Sequence, residues 1–126
     1  MNSMNIYDAV KIALKDANSG FSSKVYFAAR LMVTTKDGNE FAFQLFADSH
    51  FTPADILGAE VEAGRSVALL YVHDVKAIRT VNQVNNATRW IEIEITTTDD
   101  KVVAVACFLP DGVEFPAEVQ VFQVAA

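Results

Sequence analysis

"NIYDAVKIALKDANSG", residues 5–20, decides the fold class. At helical spacing Ile6, Val10, Ala13, Leu14 and Ala17 share one face, with Lys11 and Lys15 on the other. Asn5 is placed to cap such a helix, and Asp8 three residues on resembles a capping box with Asp for Glu. Asn18-Ser19-Gly20 supplies a stop, because Gly takes the left-handed conformation without a Cβ penalty. The expectation is an amphipathic helix over residues 5–18.

Downstream the hydrophobic period changes from 3.6 to 2. Residues 24–35 and 40–46 read as strands joined by the turn Lys36-Asp37-Gly38-Asn39. Residues 66–73 form a continuous apolar run, expected to be a central strand buried on both faces and to continue past a bulge near Asp74 to Thr80. Thr52, Pro53 and Gly58 suggest a short helix between them, with Thr52 as cap and Gly58 as stop. Residues 81–87 are polar and Asn-rich, which reads as a loop. Residues 88–97 and 101–109 form a second hairpin, and residues 118–124 a last strand. Together these predict one α+β domain over residues 1–126: an N-terminal amphipathic helix packed on a curved, mainly antiparallel sheet of five to seven strands. The other face of that sheet would need covering, by curling or by a partner subunit.

Residues 31–47 align without a gap on residues 93–109. Thr34, Thr35, Asp37, Ala42 and Phe46 then meet Thr96, Thr97, Asp99, Ala104 and Phe108. Two related β-hairpin units would produce this match. So would convergence, since hairpins share Thr-rich strands and Asp-containing turns.

Composition narrows the function classes. The chain has 126 residues, 52% hydrophobic and 21% charged, which is enough apolar material for a sizeable core. No apolar run reaches the roughly 18–20 residues of a membrane helix. Residues 1–5 lack a basic region leading into an apolar stretch, so no secretory signal is read and a reducing cytoplasm is expected. One cysteine, Cys107, excludes an intramolecular disulfide, and with only His50 and His73 it cannot complete a four-ligand zinc site. Cys107 reads as a buried, inert hydrophobe.

Net charge is −6. The nine basic and nine acidic residues up to Arg89 cancel. Beyond it Lys101 stands against Glu92, Glu94, Asp99, Asp100, Asp111, Glu114 and Glu118. A nucleic-acid backbone needs the opposite sign, so that partner is not expected. The basic stretch Arg65, Lys76, Arg79 and Arg89 is the counterpart of the acidic third. It would pair with it inside one molecule or between subunits. If the two hairpins are neighbours or related by symmetry, Arg30, which aligns with Glu92, is a candidate partner for Glu92 or Glu94.

In residues 90–97 side chains alternate: Ile91, Ile93 and Ile95 on one face, Trp90, Glu92, Glu94 and Thr96 on the other. The isoleucines belong to the core. Trp90 either folds over the sheet edge or, with Glu92 and Glu94, forms an acidic-aromatic patch for a partner, Trp being enriched in binding hot spots. Side by side on one exposed face, the two glutamates are not arranged like a glycosidase pair. His73 and Asp74, as strand neighbours, point to opposite faces and form no dyad. Asp48, Ser49, His50 and Asp55 could assemble a metal site but read more simply as turn residues. No nucleophile elbow and no phosphate loop occurs.

The expected function is therefore non-enzymatic. It is a small acidic protein acting through protein–protein contacts, in assembly, inhibition or an accessory role such as that of a phage or mobile element. It would self-associate and offer Trp90, Glu92 and Glu94 to a basic partner. The alternative is a small-molecule carrier with an aromatic-lined pocket, suggested by nine phenylalanines with aromatic residues on both faces of one strand. Catalysis ranks last, and no cofactor or metal is expected.

Overall fold

The computed structural model describes residues 2–16, 27–48, 51–58, 64–116 and 120–123. The described residues contain ten strands and no helix: β1 (Asn2–Ile6), β2 (Ala9–Asp16), β3 (Phe27–Thr35), β4 (Asn39–Ala47), β5 (Ala54–Gly58), β6 (Arg65–Val72), β7 (Val75–Asn85), β8 (Thr88–Thr97), β9 (Val102–Phe108) and β10 (Gln120–Gln123). They form two mixed five-stranded sheets, ordered β1-β9-β8-β7-β10 and β5-β2-β3-β4-β6. The inner faces share one core, in which Ile12, Leu31, Val33 and Leu45 of one sheet join Ile78, Ile91, Ile93, Ile95 and Val105 of the other. Each such side chain stabilises the fold by about 1.5–3 kcal/mol relative to leaving it exposed.

The α+β expectation is thus overturned. Residues 5–16, the described part of the expected helix, are not helical. β1 ends at Ile6 and β2 begins at Ala9, and Asp8 between them lies at φ 59°, outside the helical region. The misreading has a physical cause. β2 is an interior strand, between β3 and β5, so it is apolar on both faces: Ile12 and Leu14 point into the shared core, and Ala13 is also buried. Val10 is the extra residue of a bulge, since Ala9 pairs with Thr35 and Lys11 with Thr34. With alternation broken, only Lys11 and Lys15 punctuate the run, and their spacing of four imitates a helix. The second sheet, not a helix or a partner, covers the inner face.

Three further expectations fail. The segment from Thr52 to Gly58 is not helical: its last five residues are β5, paired antiparallel with β2. Residues 81–87 are not a loop, because β7 runs on to Asn85 and a tight turn at Asn86 (φ 57°) leads into β8. The polar sequence there reflects the outer, solvated end of a long hairpin. The apolar run 66–73 is not a central strand but an edge: β6 pairs only with β4, in parallel, among the described residues. Nor does it continue past Asp74 in the same sheet. The chain changes sheets there, and β7 joins the other one. The turn expected at Asn18-Ser19-Gly20 and the residues Ser49, His50 and Glu118 lie outside the described residues.

The two sheets repeat one another. Leu31↔Phe43 across β3 and β4 recurs as Ile93↔Val105 across β8 and β9, and Ile12↔Val33 recurs as Ile78↔Ile95. The sheet-changing residues Asp8 and Asp74 (φ 59° and 57°) match. Their carbonyls accept from Lys36 N and Thr98 N, each at 2.8 Å. The hairpin turns match too. The Thr35 hydroxyl donates to Asp37 and the Thr97 hydroxyl to Asp99, and a left-handed residue follows, Gly38 in one turn and Asp100 in the other. In each unit the first strand is exchanged. β1 leaves β2 to pair in parallel with β9, and β6 leaves β7 to pair in parallel with β4.

Candidate interaction surface

Strand β8 has the two faces its alternation predicts. Ile91, Ile93 and Ile95 are fully buried, and Trp90, Glu92 and Glu94 stand on the outer face, each half-buried. The structure brings Trp90 and Glu92 together: the indole Nε1 donates to Glu92 Oε2 at 3.0 Å. Glu94 turns instead to Arg79 on β7, opposite it in register, at 3.5 Å. Trp90 leans on Phe108 of β9 (5.5 Å between ring centroids), and Phe108 stacks on Tyr7 (4.9 Å). The Trp thus covers a neighbouring ring on its own sheet. Tyr7 extends the aromatic row into solvent, 63% exposed.

Three of the four residues of the basic stretch are engaged within the molecule, and among the described residues Arg65 reaches only Asn39 Oδ1, at 3.4 Å. Lys76 meets Asp100, and Arg79 meets Glu94. Arg89 donates to the carbonyls of Val113 (2.7 Å) and Pro110 (3.1 Å) and lies over the Phe115 ring. The two ion pairs, being exposed, contribute roughly 0.2–1 kcal/mol each. Arg30 does not meet the glutamates. It binds Gln44 Oε1 on its own sheet through Nε and Nη2, at 3.0 and 2.9 Å.

The His73 ring stacks on Phe46 at 4.8 Å, repeating the Tyr7–Phe108 stack of the other unit. Asp74 serves the sheet crossing through its backbone. No cluster of His, Cys, Asp and Glu able to hold a metal occurs among the described residues. Cys107 is fully buried, and burial, with a smaller push from Glu92, raises its thiol to about 12. It is therefore a thiol, not a nucleophilic thiolate, at ordinary pH. Open clefts of about 640 Å³ (Val72, His73, Thr97, Lys101), 380 Å³ (Val10, Ile56, Leu57 and residues 112–116) and 220 Å³ (Met4, Phe43, Leu70, Tyr71) occur among the described residues.

Sequence reasoning missed the most unusual surface. Among the described residues seven large apolar side chains are exposed, and four are on β6: Val67 (49%), Leu69 (43%), Leu70 (40%) and Tyr71 (61%). The register gives a control within the chain. β1 holds the corresponding edge of the other sheet, where Ser3, Met4 and Asn5 take the places of Leu69, Leu70 and Tyr71. At the outward-facing positions the fold accepts Ser and Asn, so nothing in the architecture requires Leu and Tyr there. A long apolar edge is a template for strand addition, and proteins usually blunt one with charge or proline. After Arg65, β6 has neither. The signal was present in the sequence, since a continuous apolar run fits an interior strand or an edge awaiting a partner equally well.

Among the described residues no helix is long and apolar enough to cross a membrane. No family model, no curated protein and no solved structure matches this chain.

Proposed function

We propose that the protein acts through protein–protein contacts, with β6 as its docking edge. The carrying observation is the contrast between two equivalent edges, polar in β1 and apolar in β6. A strand added to β6 gains main-chain hydrogen bonds along an edge that is unpaired among the described residues, and buries Leu69 and Tyr71 on one face with Leu70 on the other. The polar groups of the Trp90 face are already satisfied within the sheet, so that face offers a partner less. Tyr7, 63% exposed at the end of the Trp90–Phe108 row, favours it as a second contact surface.

The test compares tagged wild type with a Leu69→Lys/Tyr71→Lys variant in the native cell, recovered proteins being identified by mass spectrometry. A species co-recovered with wild type, whether another protein or untagged copies of this chain, is expected to be lost with the variant. Identical recoveries from both would refute the reading.

A further inference from the structure

Resting on that reading, we infer that the strand completing the β6 edge is β6 of a second copy, antiparallel about a two-fold axis. The two five-stranded sheets would then continue as one ten-stranded sheet, β5-β2-β3-β4-β6 followed by its mirror order in the copy.

Three observations select this occupant. First, β6 exposes apolar side chains on both faces: Leu69 and Tyr71 share a face with Gln44, their neighbours in register being Ala42 and Gln44, while Leu70 lies beside Phe43 on the inner face. A strand added there is matched best if it is apolar on both faces and exposed, and among the described strands β6 itself has that character. Second, the charges at the ends of β6 are opposite. Exposed Arg65 begins it, and exposed Asp74 lies just beyond its end. Antiparallel pairing centred on Leu69 brings the Arg65 end of β6 towards the Asp74 end of the copy, at both ends of the interface. A parallel copy would bring like charges together. Third, a two-fold contact is self-complementary and closes after two chains. The apolar edge is then consumed, and no filament grows from it. Pairing centred on Leu69 places that residue opposite itself and Ala68 opposite Leu70, so that apolar meets apolar throughout the middle of the strand.

The experiment combines mass with crosslinking. At about 100 µM, well above the micromolar end of the affinities that protein interfaces show, wild type should scatter light as twice the 13.8 kDa chain, and Leu69→Lys should scatter as a single chain with an unchanged circular dichroism spectrum. Opposed residues of an antiparallel pair lie about 4.5–5.5 Å apart between Cα atoms, within reach of a disulfide. Leu69→Cys should therefore form a covalent dimer under mild oxidation. Ser3→Cys, the equivalent place on β1, should not. Cys107 is buried and does not compete.

A wild type that remains a single chain at this concentration, or equal crosslinking of Leu69→Cys and Ser3→Cys, overturns the two-fold pairing. If wild type stays single yet the β6 variant still loses a different protein in the cell, the second copy is wrong and the docking edge stands. If the variant loses nothing, both fall.

Discussion

Ile12→Ala separates the strand from the helix directly. On a helix over residues 5–18, Ile12 lies away from the face formed by Ile6, Val10, Ala13, Leu14 and Ala17. Replacing it by Ala there would be neutral or slightly stabilising, since Ala is the better helix former. In β2 it is fully buried in the core shared by the two sheets. The substitution removes three carbons, a transfer loss of about 2.4 kcal/mol at ~0.8 kcal/mol per group. The residual cavity raises the total to about 3–4 kcal/mol, within the range of about 2–5 kcal/mol for such core truncations. For a chain of this size that corresponds to a fall in Tm of roughly 11–15 °C. Urea unfolding followed by the fluorescence of Trp90, the sole tryptophan, measures it. The midpoint should fall with an unchanged m-value, because a stability change without a change in exposed area moves only the midpoint. A midpoint equal to or above that of wild type would refute the placement of β2.

Other consequences can be checked alongside. Cys107 should resist thiol reagents in the native state and react on unfolding; fast native labelling would contradict its burial. Because its thiol is raised from 9.0 to about 12, its contribution to stability is whole below pH 9 and lost as pH climbs from there towards 12, which urea midpoints across alkaline pH would follow. Asp37 and Asp99 are held below the ordinary 3.8, first by the hydroxyls of Thr35 and Thr97. Their contribution is present above that value and fades as pH falls below it, and Thr35→Val or Thr97→Val should raise the respective carboxyl when titrated by NMR. A double-mutant cycle on Lys76 and Asp100 should give a coupling no larger than about 1 kcal/mol, the pair being exposed.

Side chains in strands with one wet face were legible in the sequence. The isoleucines of β8 alternate with glutamates because one side of that strand meets the core and the other meets water, and both hairpin turns carry Asp where the chain reverses. The ungapped match of residues 31–47 with 93–109 coincides with the shared register of β3–β4 and β8–β9. Legibility failed where both faces of a strand are apolar. β2 lost its period to interior packing and a bulge, and only its lysines remained to be read. β6 reads as an interior strand because hydrophobicity reports what a strand is suited to touch, not what the chain itself places beside it. Of the candidate site, Trp90, Glu92 and Glu94 were found by alternation. Their satisfaction by one another, by Phe108 and by Arg79 depends on which strands are neighbours, and local sequence does not carry that.

The exchange of first strands also has a consequence for how the molecule comes into being. Asn2 pairs with Val103 and Ile6 with Cys107, so β1 leaves the ribosome about a hundred residues before the strand it joins. The first half gains its own edge strand only when β6 follows, and the second half is completed by β1, made long before it. Neither sheet is finished by the residues of its own half. Long loops must close before those pairings stabilise anything, which makes assembly slow relative to local hairpin formation. The two halves are fastened to each other by the first strand of each, and the order of translation makes the N-terminal strand the one that waits longest.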